Sequence, residues 1–163
     1  MQTSLQRRSF ITGPLVAGAV LALPAWAHHG WSSFDQGRPL YLEGTARKVA
    51  WRNPHAELAL ELPAAGLKLP PDWASRSLPA QSAPVDGAAL LKAAQLPTRR
   101  DRVWEIELAP LSRMQAWQVP EIKPGDTLAM LGFSFTGEQG AAILRVEYLF
   151  LGGKTYGLRS SPA

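Results

Sequence analysis

From Leu40 onward the chain alternates apolar and polar positions in short runs, the period of a strand with one buried face. The first run, Leu40 to Trp51, carries Leu42, Thr45, Ala46 and Val49 around Gly44. It predicts one long strand, bent or bulged at the glycine. Asn53-Pro54 signals a turn. Ala56, Leu58, Leu60 and Leu62 then alternate with Glu57, Ala59 and Glu61, which predicts a second strand. Arg102 to Leu108 alternates cleanly and gives a third. Leu111 to Val119 has helical spacing, with Leu111, Met114 and Val119 near one face. Pro124-Gly125-Asp126 is a turn before a fourth strand, Thr127 to Phe135. Gly137 to Gly140 connects to a long fifth strand, Ala141 to Leu151, and Gly152-Gly153 allows a last turn before Tyr156.

Residues 63–101 break this rhythm. Pro63, Pro70-Pro71, Pro79, Pro84 and Pro97 stand among many alanines and serines. Asp86 is placed to cap a short helix from Gly87 to Leu96, which Pro97 stops. The stretch reads as a surface insertion between two strands, because an undecorated loop of that length is rare in a compact domain. Five strands with a short helix between the third and fourth are the order of a small OB-like barrel. The expected fold is therefore mainly β: one five-stranded barrel over residues 28–163 with one short helix and a Pro/Ala-rich insertion.

The first 27 residues are set apart as a targeting segment. Arg7-Arg8-Ser9-Phe10-Ile11 fits the twin-arginine pattern, an apolar stretch follows, and Ala25-Trp26-Ala27 is a small-x-small cleavage triplet. Gly13-Pro14, Gly18 and Pro24 interrupt the apolar stretch, which is shorter than the ~20 residues of a spanning helix. The expectation is a periplasmic or otherwise exported protein with no membrane anchor after cleavage. Residues 28–163 suffice for one domain with a modest core.

Charge and composition remove several classes of function. The net charge of +4 includes the two leader arginines. The densest basic cluster, Arg99-Arg100 with Arg102, has Asp101 in its middle, so no nucleic-acid partner is expected. The chain has no cysteine, which excludes thiolate metal sites, iron–sulfur clusters and cysteine nucleophiles. No catalytic residues are assigned. Glu105 and Glu107 would share one face of a strand without forming an acid/base dyad, and no serine is framed as a nucleophile.

The three histidines carry the candidate chemistry. Cleavage after Ala27 makes His28 the first mature residue, with its α-amine and ring nitrogen available to one metal ion. A further imidazole from His55, or from His29, completes a three-nitrogen set. Such nitrogen-rich tetragonal geometry favours copper. Asp35, Glu43 and Glu57 are candidates to add an oxygen or to orient an imidazole, and Met114 is a conceivable axial donor. The competing reading has His28 and His29 in a solvated terminus and His55 in an ordinary turn. A second function class is a non-catalytic binding or scaffold module for a small molecule, glycan or protein, built on the corner from Trp51 to His55. Trp51, Asn53, Trp31 and Arg52 would touch its ligand, with Tyr41, Phe34, Trp104 and Trp117 nearby; packing is the competing role of those aromatics. A redox enzyme at the same copper is a third reading.

The chain resembles a family of small exported bacterial proteins known only as a domain of unknown function. The marks are His28-His29 after the leader, Glu43-Gly44, the Trp-x-Asn-Pro-His run from Trp51 to His55, and the strand Trp104 to Leu108. Arg113-Met114 and Pro124-Gly125-Asp126 complete them. Ile106-Glu107 lengthens the spacing of the strand block, and residues 63–101 lie outside the resemblance. It implies the motif boundaries and export, and no activity.

Overall fold

The computed structural model describes residues 30–163. Six strands form in the order β1 Leu40–Ala50, β2 Glu57–Glu61, β3 Val103–Glu107, β4 Thr127–Phe133, β5 Ile143–Leu151 and β6 Lys154–Gly157. Two short helices, α1 Gly87–Ala93 and α2 Leu111–Ala116, lie before and after β3. β1 pairs antiparallel with both β2 and β4, β2 with β3, and β4 with β5. The ring closes where β3 and β5 pair in parallel, Glu107 opposite Arg145. That wiring, with α2 between β3 and β4, is an OB-like barrel.

The five barrel strands fall where the hydrophobic alternation places them. The extra strand, β6, pairs with β5 through Tyr148↔Gly157 and Leu149↔Tyr156. The Gly152-Gly153 turn, both residues at positive φ (58° and 76°), brings it back.

The inward positions Leu42, Leu60, Trp104, Ile106, Met130, Leu144 and Val146 are wholly buried and fill the barrel. Met114 on α2 packs into the same core, together with Val119 and Ile122. Its sulfur is thus packing for the barrel end, which corrects the expectation of an axial metal donor. The register of β1 against β2 shifts between Ala46 and Val49, beyond Gly44 rather than at it; Gly44 instead marks a close approach to β2. A Cβ there would meet the Glu61 carbonyl oxygen at 2.3 Å, so only glycine allows the close approach.

The stretch 63–101 lies between β2 and β3 but is more than a surface decoration. Its Trp73, Leu91 and Ala94 form a second buried cluster with Tyr41, Leu131 and Tyr148, which point outward from the barrel wall. The Trp73 ring meets Tyr41 at 4.5 Å and Phe150 at 5.1 Å between centroids. A helix as short as α1 is not stable alone. Its Asp86 cap, accepting from Ala89 N at 2.9 Å, and the burial of Leu91 hold it in place. The outer wall of the barrel is therefore itself a core, and the insertion is its lid.

Glu138 fastens that lid to the β4–β5 connection. It is buried, at φ 54°, and its carboxylate accepts from Arg38 Nη1 at 2.5 Å and from the backbone of Thr98 and Arg99 at 3.0 Å. Burial alone would raise its pKa; the donors from Thr98, Arg38 and Arg99 outweigh it and hold the carboxyl below its ordinary value.

Candidate functional site

The β3–β5 seam builds the site. Parallel register sets Glu107 beside Arg145 on the outer face, and the two form an ion pair of 3.1 Å. Both are almost wholly buried, at 4% and 5% exposure. A pair so desolvated needs its remaining hydrogen-bonding capacity directed at neighbours. Arg145 Nη2 reaches 3.5 Å to His55 Nε2. His55 is brought there because β2–β3 pairing runs on past the strands: Leu108 N donates to Ala56 O at 2.9 Å and Ala56 N to Ala109 O at 3.0 Å.

A second buried acid extends the network. Glu147 is wholly buried on β5, accepting from Arg159 Nε at 2.7 Å and from Gln81 Nε2 at 2.9 Å. Trp31 lies against both arginines, 5.1 Å from the Arg145 guanidinium carbon and 4.1 Å from that of Arg159. Its ring also packs edge-on to Phe133 at 6.3 Å. Two cations on one indole, with their charges balanced by Glu107 and Glu147, make a clasp for the start of the described chain. Arg113 completes the basic surroundings; burial first, and then the nearby Arg145, push its pKa down.

The expected site residues divide accordingly. His55, Trp31 and Glu57 come to one region: Glu57 opens β2 and stands directly opposite Glu107 in the β2–β3 register. Asp35 caps a local turn, accepting from Gly37 N at 3.2 Å. Glu43 accepts the Tyr41 hydroxyl hydrogen bond on the wall under the insertion. Trp51 is half-buried against the barrel core, while Arg52 and Asn53 are exposed at the corner, whose Asn53–Pro54 bond is cis. His28 and His29 lie outside the described residues.

The aromatic set does not line one ligand face. Trp104 is wholly buried in the barrel, and Tyr41 and Phe34 sit in two separate clusters. Trp117 donates its indole N–H to Ser160 O at 2.7 Å. These four are packing. Among the described residues, no three His, Cys, Asp or Glu side chains gather as a metal site, and no helix is long and apolar enough to cross a membrane.

Residues 17–74 match a family of unknown function (DUF6152). The match takes in His28, His29, the whole of β1 and β2, and the corner from Trp51 to His55. It also reaches Trp73, so the first part of the insertion lies within the DUF6152 stretch rather than outside it. No curated protein and no solved structure matches the chain.

Sequence reasoning missed Arg145, Arg159 and Glu147. Each sits in or beside a strand where a charged residue ordinarily faces solvent. The signal available was that β5 carries Arg145 and Glu147 among Leu144, Val146, Tyr148 and Leu149, a run otherwise apolar enough to be buried on both faces.

Proposed function

We infer that this is a small exported metal-binding protein whose mature terminal residue, His28, chelates copper, with His55 as the further imidazole. One chain of contacts supports the reading. Trp31 stacks on Arg145, and Arg145 touches His55. His28 is three residues ahead of Trp31, and an extended chain of that length reaches at most about 10 Å. A leader cut after Ala27 leaves an α-amine within that reach of Trp31, whose ring leads through Arg145 to His55. Amine and Nδ1 of one residue close a chelate ring, and His55 adds a nitrogen from the folded domain. His29 is the substitute imidazole or an orienting neighbour.

The surroundings suit such a role. Glu107 neutralises Arg145 at 3.1 Å, so a cation beside His55 does not face an uncompensated guanidinium. Glu57 adds a carboxylate to the same region. The twin-arginine leader exports the chain to the periplasm, where the protein holds or delivers copper. Binding requires loss of the amine proton, whose ordinary pKa is about 8, so affinity falls on acidification.

The test is Cu(II) titration of the exported protein, with intact mass to fix the cleavage point. One equivalent with nitrogen hyperfine coupling, lost in both His28→Ala and His55→Ala, is the expected result. Binding unchanged in either variant refutes the ligand set. The exposed corner residues Arg52 and Asn53 favour a second reading, a non-catalytic module that holds a small molecule, glycan or protein there. On that reading Arg52→Ala weakens ligand binding and His28→Ala does not.

A further inference from the structure

Two cavities adjoin on the surface where β2 runs into the insertion and the insertion returns to β3. One, of about 260 Å³, has an apolar floor of Leu62, Leu67, Leu96 and Pro97, with Arg99, Arg100 and Arg102 along its rim. The other, of about 290 Å³, is polar and holds Arg47, Thr45 and Thr127 with Glu43 and Glu61. Leu62, Pro63, Ala64 and Arg102 line both, so the apolar and polar compartments meet at that arginine. The rim is fixed by its backbone. Leu62 N donates to Arg102 O at 2.8 Å, and the Glu138 carboxylate accepts from Thr98 N and Arg99 N at 3.0 Å.

The ion pairs around this groove leave positive charge over. Arg99 is fully engaged, donating to Asp101 at 2.9 Å and to the carbonyls of Glu138 and Gly140. Glu61 is one carboxylate shared by Arg47 and Arg102, so a guanidinium charge of that trio is uncompensated; both arginines are more than half exposed. Arg100 is exposed and has no acid partner among the described residues. Glu43 does not cancel these charges at the rim: β2 separates it from Arg102, and it accepts from the Tyr41 hydroxyl. An apolar floor below surplus guanidinium charge favours an anion that carries an aliphatic chain. Guanidinium donors match the oxygens of a carboxylate or phosphate, whereas a neutral or cationic head forgoes that match. The apolar compartment is just below the usual size of a whole-ligand site, which suits one short chain rather than fused rings. We propose that this groove binds a single-chain amphiphile with an anionic head. The chain covers Leu62, Leu67 and Leu96, and the head lies between Arg100 and Arg102. The site is separate from any metal role of His28.

The test is titration of the metal-free, ¹⁵N-labelled protein with decanoate, which keeps carboxylate–copper contacts out of the readout. Saturable binding is expected, with shifts clustered at residues 62–67 and 96–102. Butanoate binds many-fold more weakly because its chain covers less of the floor, and decyltrimethylammonium does not bind. Arg100→Gln, at an exposed and unpaired position, lowers decanoate affinity several-fold with an unchanged melting temperature. Adding Arg102→Gln brings the loss to about tenfold, the sum of two screened ion pairs, while Arg47 still neutralises Glu61. Lys154→Gln on β6 has no effect. Equal affinity for the cationic amphiphile, no dependence on chain length, full affinity in the double variant, shifts outside the groove or no saturation each overturns the proposal. Sedimentation with phosphatidylglycerol vesicles in the absence of saturable decanoate binding also overturns it, and assigns the arginines to a membrane surface instead.

Discussion

Arg145 is the residue on which the start of the chain, the His55 turn and the β3–β5 seam meet. It pairs with Glu107, reaches His55 and lies under Trp31. Removing one member of a pair this buried leaves the other charge without compensation, at a cost of about 3–5 kcal/mol. Arg145→Ala is expected to lose that much stability by urea denaturation. Replacing both members by leucine should recover most of it, because two apolar residues leave no stranded charge. If the single and double variants are equally unstable, the loss comes from packing instead. None of this was legible in the sequence, because the pairing depends on a parallel contact between strands far apart in the chain. His55 was legible, since a histidine after Asn53-Pro54 stands out at a turn, but the identity of its neighbour was not.

At the scale of elements, the strands were readable because alternation survives in each of them, and the start of α1 because Asp86 caps it; its end was not, since the helix stops at Ala93 instead of Leu96 and Gln95 bonds through its backbone to Pro39 and Tyr41. The closeness of the insertion to the barrel was not readable. Trp73 sits in a proline-rich stretch with no period, and only the outward-facing Tyr41 and Tyr148 reveal where it goes. The tether at Glu138 belongs to this scale too, since its acceptors join Thr98 and Arg99 to Arg38 and the β4–β5 connection. In sequence it is an acid in a glycine-flanked loop, normally solvated. Its carboxyl is held below the ordinary value in the folded state. The stability it adds is therefore fully present above the unfolded value of about 4.3 and is lost as pH falls through the lower, folded one. Thermal melts between pH 6 and pH 3 should show this loss, with faster amide exchange at residues 96–100 at the acid end. Glu138→Gln should be less stable at pH 6 and change less on acidification. An unchanged slope in that variant would assign the acid sensitivity to other carboxylates.

For the whole molecule, chain order alone pointed to the barrel: five strands with a helix between the third and fourth. The closing β3–β5 contact and the added β6 complete it. Function was readable only as chemistry at named residues, because a small β-barrel serves many roles. The structure adds a route by which Trp31, at the start of the described residues, is linked to His55 through Arg145, with Arg159 on the same ring. The proposed copper site depends on a free amine on His28. The direct measurement is Cu(II) affinity of the cleaved protein beside a variant with one alanine added before His28. A loss of at least about tenfold is expected, since the extension removes the amine–imidazole chelate while leaving every side chain in place. Equal affinity in the two proteins would contradict it.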